Sequence, residues 1–339
     1  MKRTLNIDTI KKIGEEVLLK GWVNSVRAHG KIIFIDLRDV TGITQVVFTP
    51  KMDSNAYALV KDEIRQEYIV EILGEVKERP ESMKNAEIAT GSIEIKANSV
   101  KILSKAKTMP FPIEGDGYEI NEKHRLEYRY IDLRRERLKK NLKKRFETIS
   151  LMRGILKEKG FIEVETPILT KSTPEGARDF VVPSRNFKGS FYALPQSPQQ
   201  YKQLLISAGI EKYFQVARCL RDEDPRGDRQ PEFTQLDLEI AFPESEEDIM
   251  NLIEEIYIKV VEKLFPEKHI SQIPFPRMTY KEAMEKYNSD KPDLRKDKND
   301  KNELAFWFIT DFPMFDWKEE YGKWCAMHHP FTLPQEKDI

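Results

Sequence analysis

CLRDEDPRGDRQPEFTQLDLEI, residues 219–240, is the stretch whose reading decides the fold. From Leu236 to Ile240 apolar and acidic residues alternate. A period of two predicts a strand with Asp237 and Glu239 on one face. The preceding EKYFQVARCL (211–220) also reads as a strand, so the pair predicts a long antiparallel hairpin. Its loop is rich in Arg, Asp and Gly. Arginines with an aromatic ring, Phe233, suit a nucleoside triphosphate: guanidinium forks grip phosphate oxygens and a ring stacks on a base. A charged surface hairpin with no ligand has the same pattern, and the segment alone leaves both readings open.

Four neighbouring stretches narrow the choice. KGFIEVETPIL (159–169) runs from a Gly through an aromatic and apolar positions to Pro-Ile-Leu. TPEGARDF (173–180), FYALPQSPQQYKQLL (191–205) and AMHHPFT (326–332) follow in order around the hairpin. Residues 159–169 resemble motif 1 of the class II aminoacyl-tRNA synthetases, and Arg221-Asp222-Glu223 through Phe233 resembles their motif 2. Together the segments resemble the bacterial-type aspartyl-tRNA synthetases, collinearly over nearly the whole chain. The lysyl and asparaginyl relatives are not expected to share the QSPQQYK and HHPFT segments.

Composition agrees with a globular protein. The 339 residues suggest two or three domains, with 40% hydrophobic and 33% charged residues and a net charge of −1. No 18-residue apolar run and no signal peptide is present, so no membrane association is expected. Cys219 and Cys325 stand alone, which fits a reducing cytoplasm and argues against a disulfide or a zinc site. Charge is uneven: residues 123–145 are dominated by Lys and Arg, against Glu127, Asp132 and Glu136. Such a run tracks a phosphate backbone or forms a solvated helix face.

Residues 1–104 read as five strands: VLLKGWVN (17–24), KIIFIDL (31–37), ITQVVF (43–48), YIVEILG (68–74) and SIEIKANSVKIL (92–103). A helix, NAYALVKDEIRQ (55–66), falls after the third. This is the order of an OB-fold β-barrel, a fold that commonly binds single-stranded nucleic acid but also occurs without a ligand. Residues 105–137 are a hinge, with Pro110 and Pro112 marking a break. Residues 138–339 predict an α+β domain on an antiparallel sheet. Its first helix carries Leu138, Leu142, Phe146, Ile149, Met152 and Leu156 at helical spacing and stops at Gly160. A second helix spans 246–265. NSDKPDLRKDKNDKNE (288–303) is almost free of apolar residues and predicts a flexible, exposed linker. The resemblance places a whole inserted domain there.

The resemblance implies the chemistry. L-aspartate attacks the α-phosphate of ATP, and the aspartyl group then moves to the terminal ribose of tRNA(Asp). Arg221 would bridge α-phosphate and substrate carboxylate as the catalytic cation. Asp222, Glu223, Gln230 and Phe233 complete the ATP set, with Glu223 facing the adenine amino group and Phe233 stacking on the ring. Lys202 would take the aspartate side chain. Asparagine would set an NH₂ against that ammonium and leave a buried charge unpaired. Glu175, Ser197, Gln199 and Asp237 match positions around the substrate ammonium and backbone, and His328 a position near the bound aspartate, although a histidine is often a packed core imidazole. The His pair has no acidic or Cys partner at ligand spacing, so no metal-binding residue is assigned within the chain.

In the barrel, Phe34 matches the aromatic that stacks on an anticodon base, or else belongs to the barrel core. Gln45 and Glu94 match base-reading positions, and Arg27 and Arg65 contacts to the anticodon stem–loop. His29, in RAHGK, looks like the relaxed type that also charges tRNA(Asn). Pro167 and the strand before it imply a homodimer through motif 1.

The pattern departs from the family at one end. The chain stops at Ile339, seven residues after HHPFT. No Gly-rich motif 3 follows, and with it the resemblance places the acidic Mg²⁺ ligand and an arginine for the aspartate side chain. The chain therefore reads as a truncated form. A catalytically inactive tRNA-binding protein and an asparaginyl-type class II ligase are the alternatives.

Overall fold

The structure, a computed structural model, describes residues 1–327 except 174, 225 and 228. His328 and the rest of the HHPFT segment lie outside the described residues. The chain divides into two compact units, Met1–Glu136 and Arg137–Ile339.

The first unit is a closed five-stranded barrel. Strands β1 (Glu16–His29), β2 (Ile32–Asp39), β3 (Gly42–Phe48), β4 (Ile69–Glu78) and β5 (Ile93–Ser104) run round it in the order β1-β2-β3-β5-β4. All neighbours are antiparallel except β3 and β5. The pleat sends Val17, Leu19 and Val23 of β1 and Ile33, Ile35 and Leu37 of β2 inward, where they meet Ile72, Val76 and Ile95 in the core. Barrel curvature is set where side chains would not fit. A Cβ on Gly21 would lie 2.4 Å from the Arg38 carbonyl, and one on Gly74 2.6 Å from that of Lys96. The expected helix after the third strand is α1 (Ser54–Ala58), capped by Asp53 and continued as a wider π-type turn to Glu63.

Residues 105–136 pack into this unit around buried charge. Helices α2 (Glu122–Glu127) and α3 (Arg129–Asp132) carry His124, Tyr128 and Ile131 against Phe111 and Ile113. Arg135 is fully buried, donates to Asp132 at 2.9 Å, and sits over the Phe111 ring.

In the second unit, helix α4 (Glu136–Glu158) leads into β6 (Ile162–Glu163). A short hairpin follows, β7 (Val181–Pro183) with β8 (Phe191–Ala193), and then α5 (Gln199–Ser207). The central sheet has the order β10-β9-β6, with β9 (Lys212–Leu220) antiparallel to β10 (Glu232–Ile240) as the alternation predicted. Helix α6 (Glu246–Leu264) starts with a Ser245–Asp248 capping box. Its Leu252, Ile256 and Val260 pack with Ile155, Leu156 and Phe161 against Phe214, Leu236 and Leu238. One face of the β9–β10 hairpin is thus covered by helices, and the other is left for polar chemistry. The apolar stripe of α4 packs only in its C-terminal half, since Leu142 and Phe146 are exposed.

Residues 288–303 depart from the flexible-linker expectation. They form a run of turns closed by two parallel strand pairs, β11 (His269–Ile270) with β13 (Glu303–Leu304) and β12 (Arg277–Thr279) with β14 (Phe308–Thr310). The buried Glu303 carboxylate accepts the backbone N–H groups of Lys296 and Asp297 and the Ser271 hydroxyl, at 2.7–3.1 Å. These bonds hold Glu303 well below the ordinary carboxylate range, at about 2. A composition almost free of apolar residues gives no sign of such polar anchoring. Among the described residues, no helix is long and apolar enough to cross a membrane.

Candidate active site and nucleic-acid face

The polar face of the hairpin follows from the β9–β10 register. Phe233 pairs with Cys219, Gln235 with Ala217, Asp237 with Gln215 and Glu239 with Tyr213, and all project to the side away from α6. Arg221, just past the end of β9, continues that side. Its guanidinium lies 5.2 Å above the Phe233 ring centre, and its Nε donates to the Gln196 carbonyl at 3.3 Å. The two residues help line a cavity of about 880 Å³ shared with Glu223, Asp224, Arg229 and Gln230. Arg229 approaches Glu223 at 3.9 Å. Asp222 does not line the cavity; its backbone bonds to that of Arg178. A planar cation over a ring at the wall of a polar cavity is suited to a purine and its phosphates.

Further along the same face, α5 delivers Lys202. Its ammonium contacts Asp237 at 3.1 Å and Glu239 at 2.9 Å, with little solvent access. Burial pulls the Lys202 ammonium down, but Glu239 and Asp237 outweigh it and leave it above its ordinary value. Burial pushes the Asp237 carboxyl up, and Lys202 only partly offsets this. The second Asp237 oxygen, Oδ2, is buried without a hydrogen-bond partner among the described residues. Burial also raises the Tyr213 phenol and takes the Cys219 thiol to about 11, so neither ionises near neutrality.

A third set closes the same wall. Ser197 donates to Glu175 at 2.6 Å, and the Gln199 backbone donates to Ser197 Oγ at 3.3 Å. Gln196, which the sequence reading passed over, organises this edge. It is buried, receives the Ala177 N–H and donates to the Ala177 carbonyl and to Asp179. Its position beside Ser197 in the Gln-Ser-Pro turn was the available signal. Arg221, Phe233, Lys202, Asp237, Glu175, Ser197 and Gln199 are therefore brought onto adjoining walls.

On the barrel, the outward face of β1–β3 and β5 gathers the other residues. Phe34 lies outside the core, since the pleat gives the interior to Ile33 and Ile35. Arg27 pairs across strands with Phe34 and donates to Asp36 at 2.7 Å. Gln45 donates to Glu94 at 3.1 Å. His29 is exposed at the end of β1. Arg65 sits apart, in a groove with Asn24, Ser25 and Val26, its guanidinium spent on the Ile64 and Asp62 carbonyls. Arg79 was missed in the sequence. It is buried, donates Nε to the Ile93 carbonyl at 2.8 Å, and leaves Nη2 without a partner among the described residues. Burial pulls it down, and Glu94 and Asp36 counter this.

Among the described residues, no group of three or more His, Cys, Asp or Glu side chains gathers as metal ligands. No described residue is assigned to Mg²⁺.

Comparison with known proteins places both units. A family model described as tRNA synthetases class II (D, K and N) matches residues 121–339, and one described as an OB-fold nucleic acid binding domain matches 17–103. The aspartate–tRNA(Asp/Asn) ligase of Syntrophomonas wolfei is 52% identical over 297 residues, covering 87% of this chain and 50% of that protein. The ligase of the same name from Bacillus subtilis is 54% identical over 289 residues, covering 85% and 48%. The chain thus spans about half the length of the curated relatives it matches. An asparaginyl-tRNA synthetase from Pyrococcus horikoshii, solved with asparaginyl-adenylate, superposes with a TM-score of 0.68 at 27% identity, covering 81% of this chain and 64% of that one. The aspartyl-tRNA synthetase of Entamoeba histolytica gives 0.67 at 25% identity, covering 84% and 62%.

Proposed function

The chain belongs to the class II tRNA synthetases (D, K and N), and from that premise we propose that it activates L-aspartate with ATP and passes it to tRNA(Asp) and tRNA(Asn). The observation that carries this reading is the Arg221–Phe233 stack and the Lys202–Asp237–Glu239 cluster on one face of one hairpin. Adenine stacks on Phe233 while Arg221 neutralises the α-phosphate and the approaching carboxylate. An aspartate carboxylate oxygen bonds to the α-phosphorus as the bond to the β-phosphate oxygen breaks, and pyrophosphate leaves. A terminal ribose hydroxyl of tRNA then attacks the aspartyl carbonyl, and AMP leaves. Both reactants of the first step are anions, so alignment and charge neutralisation are the protein's main contribution.

The orphaned Asp237 Oδ2 and the Glu175–Ser197 pair supply acceptors for the substrate ammonium. Lys202 faces the substrate side chain. With Asp237 and Glu239 its cluster carries a net charge of −1 (one cation, two carboxylates), so aspartate binding calls for a further cation. His328 is kept as a contact near the aspartate. Class II synthetases use ATP and Mg²⁺ in general. On the barrel, Phe34 stacks on an anticodon base, Gln45 and Glu94 read base edges, and Arg27 holds backbone, while Arg65, set apart in its own groove, is a separate contact to the stem–loop. His29 admits tRNA(Asn). The exposed Leu142, Phe146, Ile162, Ile168 and Leu169 around motif 1 support a homodimer.

The test is ATP–pyrophosphate exchange by the 339-residue chain. Exchange driven by aspartate, and lost in Arg221→Ala, is the expected result. Exchange driven by asparagine or lysine would reassign the substrate, and none from the folded chain would overturn adenylation by this polypeptide.

A further inference from the structure

Glu67 occupies an unusual position in the barrel unit. It is 2% exposed and holds a left-handed backbone with φ of 65°, a conformation that a non-glycine residue keeps only where its surroundings fix it. Its N–H bonds to the Val23 carbonyl at 2.7 Å. Its carboxylate takes Arg38 of β2 on both oxygens at 2.8 Å. The same carboxylate takes Arg134 from the segment after β5. One buried anion therefore joins a barrel strand to the 105–136 segment. Glu67 and Met109–Glu114 line a common cavity of about 720 Å³, at whose edge Gln66 donates to Glu114 at 3.1 Å. Beside Arg134, the buried Asp132–Arg135 pair ties the segment to itself through the Glu114 and Pro112 carbonyls.

Both joined parts present groups suited to RNA. The barrel offers Phe34, Arg27 and His29. The segment exposes Tyr118 (69%), Tyr130 (67%) and Lys123, rings and a cation that suit bases and phosphates. Two RNA-facing surfaces held in one body make the second contact intramolecular, whereas a loose tether dilutes it.

We propose that Glu67 is a positioning residue for tRNA binding: by clamping Arg134 to Arg38, it fixes the 105–136 segment to the barrel so that both meet one tRNA together. This rests on the tRNA-ligase reading above.

The test compares wild type, Glu67→Gln, Arg134→Met and the double variant, all in the 339-residue chain. Fluorescence anisotropy is measured with whole tRNA(Asp) and with an isolated anticodon stem–loop. Both single variants should bind the stem–loop as wild type does and whole tRNA about tenfold more weakly, and the double variant should lose no more than either. Amide hydrogen exchange should quicken in 105–136 and stay unchanged in β1–β5. Equal losses for both RNAs, with faster exchange in the barrel, would show that Glu67 only stabilises the barrel and would overturn the proposal. Undiminished binding of whole tRNA would overturn it too. Arg134→Met leaves the barrel sequence intact and decides the matter if Glu67→Gln does not fold. A wild-type chain that binds neither RNA refutes the tRNA reading itself, a result separable from the others.

Discussion

Replacing Lys202 with Met removes the ammonium shared by Asp237 and Glu239 while keeping most of its volume. At 3.1 Å and an effective dielectric constant of about 20, the Lys202–Asp237 attraction is about 5 kcal/mol. Removing two charges from water cancels part of it, and the variant leaves Asp237 buried alone, so about 3 kcal/mol of folding stability is lost. Glu239, about a third exposed, adds little because solvent screens it. The deficit depends on pH. Asp237 already lies above its ordinary value of 3.8 because burial outweighs Lys202, and without Lys202 it rises further. A carboxyl whose folded pKa is raised costs stability once the unfolded chain has ionised, above about pH 4. Lys202 itself is raised, so its wild-type contribution is complete below its ordinary 10.5 and is lost only above it. The deficit should therefore grow from about pH 5 to about pH 8 and shrink in acid, where Asp237 carries a proton. Urea unfolding at both pH values, with unchanged m, measures it. A deficit below about 1 kcal/mol, or one equal at both pH values, would refute the reasoning.

Four other outcomes follow from the same geometry. Arg221→Lys keeps the charge but loses the planar fork over Phe233, so aspartate-dependent exchange should fall about a hundredfold with an unchanged melting curve. Phe34→Ala should weaken anticodon stem–loop binding by about 1–3 kcal/mol with little loss of stability, whereas Ile35→Ala, in the barrel core, should cost about 2–5 kcal/mol in urea. His29→Leu should lower charging of tRNA(Asn) and leave tRNA(Asp) charged; equal charging of both by the variant would remove His29 from the specificity account. Because Glu303 is held at about 2, its anchoring is intact above its ordinary 4.5 and lost as pH falls toward 2. Limited acid proteolysis should then open 288–303 in wild type across that window, and in Glu303→Gln at every pH.

The barrel and the central hairpin were legible because their signals are local. Alternation at 236–240 beside the strand-like run at 211–220, and five strand runs with a helix after the third, fix both elements without distant information. What was hidden depends on register and burial. Nothing in the sequence says that Asp237 and Glu239 both face Lys202, since that needs α5 laid across β10. Nothing local in the sequence marks Arg79 or Glu67 as buried, and Gln196 had only its place beside Ser197; the fold is what buries all three. The 288–303 segment misled because its anchors are backbone N–H groups, which composition does not record. The stripe on α4 correctly predicted a helix, yet the uncovered Leu142 and Phe146 show that helical spacing does not say which half finds a partner within the chain.

The central claim is that the Arg221–Phe233 and Lys202 walls form one aspartyl-adenylate site. Calorimetric titration of the 339-residue chain with non-hydrolysable aspartyl- and asparaginyl-adenylate analogues tests it most directly. Tighter binding of the aspartyl analogue, with the preference abolished by Lys202→Met and binding of both lost in Arg221→Ala, is the predicted result. Equal affinity for the two analogues, or affinity indifferent to Arg221, would contradict the account.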